Sequence, residues 1–368
     1  MKSPVASMPP VPPTGQSRCH DAAGREIPCP GSGQDAAFPH PAASLAVRFL
    51  PLGEELVRDA ATGLVWPVDA GLAGFPMPWA EALETCARLA AQGLLGRADW
   101  RLPNRRELRS LVSYGQARPA LPQGHPFRNV FSGWHWTSTT AAPAPAYAWY
   151  VHLEGGRMFY GKKDQDCLCW PVAGECLLPR TGQDWCRDAL GSEIVCPGTG
   201  QDGAVRSGLA WPRPRFAAAG GKGEGVLDRL TGLVWASRAD AAPGPASWQE
   251  ALDVAGGYRG GGWRLPDVNE LESLVDAGRF GPALPAGHPF EAVGDVYWSA
   301  TTSAYDPAWA HALYLHKGAV GVGVKSGREA LVWPVTGPDS SSRHPECRVR
   351  AMRAYAFRGQ HALVAIFF

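Results

Sequence analysis

The sequence predicts an α+β fold built twice in tandem, each copy with two helices packed on a twisted antiparallel sheet. Three observations carry this. First, ordered landmarks recur at offsets drifting only between about 160 and 169 residues, a period that corresponds to a whole domain. Second, each copy runs from strand-like segments through two helical stripes and back to strand-like segments. Third, helix-capping signatures precede those stripes.

The duplication is visible residue by residue. Thr14, Gly15 and Gln16 reappear as Thr181, Gly182 and Gln183, and Cys19 and Cys29 reappear as Cys186 and Cys196. Asp59, Thr62, Gly63, Leu64 and Trp66 return as Asp228, Thr231, Gly232, Leu233 and Trp235. Trp100 to Pro103 matches Trp263 to Pro266, His125 with its neighbours matches His288, and Trp170 to Val172 matches Trp333 to Val335. The chain of 368 residues therefore divides into copies at 14–174 and 181–337. Residues 1–13 read as a leader remnant or linker, and 338–368 as a basic tail that fits neither copy.

Each copy opens on a polar, Gly-rich loop bounded by its cysteine pair. A hairpin follows, whose turn uses an Asp that bonds its own backbone and a Gly that takes a left-handed conformation before the return strand. The first helix runs from about Trp79 to Ala90, with Trp79, Leu83, Cys86 and Ala90 on one face. Its counterpart starts at the capping box of Ser247 and Glu250 and carries Trp248, Leu252 and Ala255. The second helix is capped by Asn104 with Glu107, or Asp267 with Glu270, and buries Leu108, Leu111 and Val112, or Leu271, Leu274 and Val275. Segments rich in β-branched and aromatic residues, from His135 or Tyr297 onward, lead to a closing Trp-Pro-Val strand.

The 35 Lys and Arg residues nearly balance 34 Asp and Glu, so no nucleic-acid footprint over the whole chain is expected. No apolar run is long enough for a transmembrane helix. The repeated cysteine pairs, each around a short polar loop, read as disulfides Cys19–Cys29 and Cys186–Cys196. Closing a loop of that size contributes about 2.5 to 3 kcal/mol in the chain-entropy model. Zinc is the weaker reading, since only Cys167 and Cys169 are closely spaced and no His stands at zinc spacing, so no metal is expected. Cys86, Cys167 and Cys169 all lack counterparts in the second copy, which suggests a helix-to-last-strand disulfide of Cys86 with Cys169, Cys167 being the alternative.

Disulfides point to a periplasmic, cell-surface or secreted protein. Met1 to Pro13 holds Lys2 but no apolar core of a secretory signal. The expectation is a start placed downstream of the true leader, or a mature fragment; a cytoplasmic chain with free thiols is the alternative. In the tail, Arg343, Arg348, Arg350, Arg353 and Arg358 precede an apolar end from Ala362 to Phe368. That end is too short to span a membrane, and the tail equally suits a reading-frame remnant.

The Asp-x-x-Thr-Gly-Leu-x-Trp hairpin, the helix beginning at Trp79 or Trp248, Trp-Arg-Leu-Pro with its following Glu, Tyr297-Trp298-Ser299 with Thr301 and Thr302, and the closing strand together resemble the Lcl C-terminal domain. That bacterial family takes its name from a collagen-like adhesin. The resemblance covers both copies, and Trp-Arg-Leu-Pro is also similar to the core motif of formylglycine-generating-enzyme-like domains. It implies two tandem C-type-lectin-like domains. It also implies attachment to sulfated polysaccharide such as glycosaminoglycan, as the name-giving adhesin does, although most members have no assigned role. Family copies often carry one Cys in the helix and another near the closing strand, which fits Cys86 with Cys169, two residues before the expected place.

Three arginines specific to the first copy, Arg105, Arg106 and Arg109, stand where the second copy has acidic residues nearby. They are the leading candidates for a sulfate or carboxylate patch, because each guanidinium offers a planar fork of donors. Arg157, Lys162 and Lys163 are candidates to extend it, and a solvated helix face is the competing reading. Trp134, Tyr147 and Tyr160, also specific to the first copy, are candidates for sugar stacking or protein docking. The acidic and amide signatures of calcium-binding C-type lectins are absent, and Asp164 with Asp166 reads as a turn, so no calcium or other cofactor is expected.

Catalysis is not expected. His125 and His288 recur without a repeated Ser or Cys nucleophile, and helix capping explains Glu107 and Glu270. The reading is an exported, non-catalytic binding protein for anionic polysaccharide; the alternative is an assembly module that docks another cell-envelope protein.

Overall fold

Strands β1 (Cys19–His20) and β2 (Glu26–Ile27) pair across the loop that the Cys19–Cys29 disulfide closes. The computed structural model describes residues 11–38, 48–220 and 224–337; the basic tail and the expected leader apart from residues 11–13 lie outside it. Strands β3 (Phe49–Pro51), β4 (Leu56–Asp59) and β5 (Val65–Pro67) then form an antiparallel sheet. The β4–β5 turn follows its residues: Asp59 Oδ1 accepts the Ala61 amide at 3.0 Å, and Gly63 adopts φ 77°. A Cβ there would also meet the Glu175 carbonyl oxygen at 2.6 Å.

Helix α1 (Trp79–Ala91) is anchored by its first residue, whose indole Nε1 donates to Thr137 O at 2.7 Å. Helix α2 (Arg105–Arg109) has the expected capping box, Asn104 accepting two amides while Glu107 accepts the Asn104 amide. Arg101 holds Glu107 in a bidentate pair at 2.5 and 2.7 Å, which fixes the helix to the preceding Trp-Arg-Leu-Pro segment. Strands β6 (Trp134–Thr140), β7 (Tyr147–His152) and β8 (Met158–Lys162) form a second antiparallel sheet.

The second copy repeats this plan. It comprises β9 (Cys186–Arg187), β10 (Glu193–Ile194), helix α3 (Asp202–Val205), β11 (Phe216–Ala219), β12 (Gly225–Asp228) and β13 (Val234–Ala236). Helices α4 (Trp248–Gly257) and α5 (Val268–Ser273) precede β14 (Val296–Thr302), β15 (Trp309–Tyr314), β16 (Ala319–Val324) and β17 (Val335–Thr336). The Cys186–Cys196 disulfide is formed, and both α4 and α5 carry capping boxes.

The α+β class holds, but where one sheet was expected each copy contributes a two-stranded ribbon at its disulfide loop, a small sheet of three or four strands and three strands of a larger sheet. The closing Trp-Pro-Val segment contributes little ladder: in the first copy it makes only isolated bridges, Val65 to Ala173 and Arg101 to Val172. Pro171 and Pro334 have no amide to donate, which interrupts pairing there.

The larger sheets of the two copies join. β8 pairs antiparallel with its equivalent β16 through Met158 and Val320, giving a six-stranded sheet ordered β14-β15-β16-β8-β7-β6. Like strands meeting antiparallel is the relation of a local twofold axis. One core cluster runs through the junction, with Leu108, Val151 and Met158 from one side and Leu271, Leu313 and Val320 from the other.

The disulfide loops are exchanged. The loop that opens the first copy packs on the second: Thr301 Oγ1 donates to Asp35 Oδ2 at 2.7 Å, Gln16 Nε2 to Thr302 O at 2.9 Å, and Lys325 Nζ to His20 O at 3.0 Å. The second loop packs on the first copy in the same way. Thr139 Oγ1 donates to Asp202 Oδ2 at 2.6 Å, Gln183 Nε2 to Thr140 O at 2.8 Å, and Lys163 Nζ to Asp188 O at 2.9 Å.

Candidate functional site

The arginines that the sequence singles out are not on the surface. Arg105, Arg106 and Arg109 are 1, 7 and 7 % exposed, enclosed at the junction of the copies. Arg105 lies 4.0 Å above the Trp149 ring and donates to the Gly318 carbonyl of the second copy. Arg106 donates to Val275 O at 2.8 Å and Ser273 O at 3.2 Å. Arg109 reaches Asn269 Oδ1 at 2.7 Å and Glu272 Oε2 at 3.2 Å. Burial lowers the Arg105 guanidinium to about 10 even with Glu272 opposing it. The expected exposed patch does not form: these guanidiniums bond mainly to acceptors of the second copy, although Arg106 and Arg109 also line a cavity with Pro12, Asn269 and Glu272.

The remaining candidates separate. Lys162 is exposed and pairs with Asp164 at 2.5 Å. Lys163 is buried, 4.0 Å over the Trp79 ring, where it clasps the exchanged loop, and burial lowers its ammonium to about 7. Tyr147 and Tyr160 pack with Trp149 on the sheet face turned toward α2, at ring separations of 5.9 and 5.2 Å along that row. Trp134 lies on the opposite face, since its cross-strand partner is His152 and residue parity alternates along β7.

On that opposite face the structure assembles a row the sequence reading did not single out. Cross-strand pairing places Trp134 beside His152, Tyr150 beside Phe159, and all four rings on one side. Trp134 and Tyr150 approach to 4.0 Å between ring centroids. Across the copy boundary Phe159 meets Tyr314 at 6.1 Å. Glycines make the row possible. A Cβ on Gly161 would stand 2.1 Å from the Tyr150 ring, and one on Gly321 would stand 2.6 Å from Tyr314 and 2.9 Å from Phe159. The rings thus lie low over neighbouring strands, half-buried.

Two cations border the row. Arg157 Cζ sits 5.9 Å from the Trp134 centroid, and Lys317 Nζ is 5.3 Å from Tyr314 and 5.9 Å from Phe159. The platform crosses five strands, on the order of 20 Å at ordinary strand spacing. It is asymmetric: Val296, Ala312 and Gly321 take the places of Trp134, Tyr150 and Phe159 in the second copy. The signal available in the sequence was that Tyr150 and Phe159, like Trp134, lack aromatic counterparts; the contribution of Tyr314 required the tertiary pairing.

The expected Cys86–Cys169 disulfide is not formed in the structure: the two sulfurs stand 3.6 Å apart and both are free, and the Cys167 side chain is free as well, in a chain segment that pairs with Met77. The hydrogen bond with the adjoining Cys169 thiol, and then burial, raise the Cys86 thiol well above its ordinary value. His125 stacks on Phe127 at 5.7 Å and His288 on Phe290 at 5.9 Å, matching turn elements in the two copies. His135 and His311 are buried, and desolvation lowers them to about 4 and about 3. Among the described residues no group of three or more His, Cys, Asp or Glu side chains is placed to hold a metal ion. No described helix is long and apolar enough to cross a membrane.

The family model of the Lcl C-terminal domain matches residues 55–173 and 224–336. No curated protein and no solved structure matches the chain. Both matched segments begin after the exchanged disulfide loops and contain the hairpin, both helices and the joined sheet, and together they cover more than half of the sequence. The chain belongs to the Lcl C-terminal domain family, as a tandem pair of its domains.

Proposed function

We propose that this protein acts by binding, without catalysis, and that its ligand is an anionic polysaccharide laid along the aromatic row. The observation that carries the reading is the half-buried ring row from Trp134 through Tyr150 and Phe159 to Tyr314, bordered by Arg157 and Lys317. Ring faces held low on a sheet offer apolar contact to sugar rings at small entropic cost, and the bordering cations supply charge for sulfate or carboxylate groups. The reading takes each copy as C-type-lectin-like and the protein as exported, since two disulfides persist in an oxidising compartment. In that compartment Cys86 and Cys169 close a third disulfide, which a non-reducing peptide map after mild oxidation checks; a Cys86–Cys167 linkage would refute it.

Retention of the oxidised protein on immobilised heparin across a salt series tests the ligand. Retention is expected at low salt and to fall as salt rises. Arg157→Ala with Lys317→Ala flattens the salt dependence, whereas Tyr150→Ala with Phe159→Ala weakens binding at every salt concentration. No retention at low salt refutes the proposal. The alternative reading is docking to a cell-envelope protein. Capture of such a protein that is insensitive to salt supports that reading instead.

A further inference from the structure

The junction between the copies is symmetric in backbone and asymmetric in charge. The shared capping boxes align α2 with α5, so that Arg105, Arg106 and Arg109 occupy the places of Val268, Asn269 and Glu272. Equivalent positions face each other across the local twofold axis, and Arg109 meets Glu272 at 3.2 Å. Arg105 and Arg106 also converge on Glu272, at 3.5 and 3.8 Å. All four side chains are almost fully enclosed.

We infer that this junction is a heterospecific pairing surface: the arginine face of the first copy accepts the glutamate face of the second and rejects a copy of itself. Two arginine faces brought together about the same axis would enclose six guanidinium groups and no carboxylate. Two glutamate faces would oppose a pair of carboxylates with no guanidinium. Each combination leaves like charges out of water, where they repel strongly. Only the mixed pair sets a carboxylate among the guanidiniums, three arginines around one glutamate, and backbone carbonyls take up further donors. Arg106 and Arg109 donate to Val275 O and Val268 O on one side, while Asn269 Nδ2 returns a bond to Pro12 O at 2.8 Å on the other. The two faces of one chain therefore complement each other, although Arg105 Nε and Nη1 and Glu272 Oε1 make no hydrogen bond there. The junction has a consequence at the surface, since Phe159 and Tyr314 become neighbours only when the copies pair.

A charge-reversal cycle on the full chain tests this. Glu272→Arg and Arg109→Glu are each expected to lower the thermal midpoint by at least about 5 °C, because each leaves a buried charge unmatched. The double variant keeps the net charge of the junction and is expected to recover at least half of the larger loss. A double variant no more stable than the weaker single overturns the inference. If the reversed chains do not accumulate, Glu272→Gln decides. A midpoint lowered by several degrees upholds charge-matched pairing, and an unchanged midpoint overturns it.

Discussion

Asp202 shows how a single residue on an exchanged loop couples to solution conditions. The Thr139 and Thr181 hydroxyls donate to its Oδ2 at 2.6 and 2.8 Å. Desolvation outweighs them and raises the carboxyl to about 6, with Glu107 adding to the rise and Arg101 opposing it. A folded-state value above the unfolded one means a proton is taken up on folding. The associated stability is present below about pH 4 and is lost as pH rises through 6. Asp202→Asn keeps an oxygen for both hydroxyls and removes the buried charge. It is expected to exceed the parent in stability above pH 6 by up to about 3 kcal/mol, with the difference vanishing near pH 4, as urea unfolding at two pH values will measure. The arginines give the matching lesson about legibility. Their restriction to the first copy is plain in the sequence, but a side chain that long reaches either water or a neighbouring domain. Its acceptors here are carbonyls and a carboxylate some 160 residues away.

Among the elements, local chemistry was the most legible. The helix starts at Trp79 and Trp248, the capping boxes and the Asp-Thr-Gly hairpin turns all depend on residues within one turn of each other, and each formed as expected. The closing strand was less so, because Pro removes an amide from its ladder. The aromatic row depends on the opposite kind of information, a cross-strand register that places a glycine under a ring. Gly321→Val tests that dependence, since the added carbons intrude on Tyr314 and Phe159. The expected outcome is loss of heparin retention, with far-UV dichroism preserved and a stability cost of about 1 to 3 kcal/mol from overpacking. Unchanged retention would remove the row from the binding surface.

At the scale of the whole molecule, exchange of the disulfide loops ties segments far apart in sequence. Deletion of residues 1–38 removes the partners of Thr301, Thr302 and Lys325. Amide exchange is expected to accelerate in β14–β16 more than in β6–β8, although most of the deleted segment belongs to the first copy; hydrogen-exchange mass spectrometry reads the difference, and equal acceleration in the strands of both copies would contradict it. The sequence by itself determined the tandem duplication, the α+β class, the helix caps, the turn chemistry and the two loop disulfides, because each is written in short-range residue patterns or in the repeat. Only the tertiary structure decided that the loops cross between copies, that the arginines are enclosed and that an aromatic row spans the joined sheet. Those outcomes depend on which surface of one copy meets which surface of the other, and that is settled by packing, hydrogen bonds and ion pairs between residues that no sequence spacing brings together.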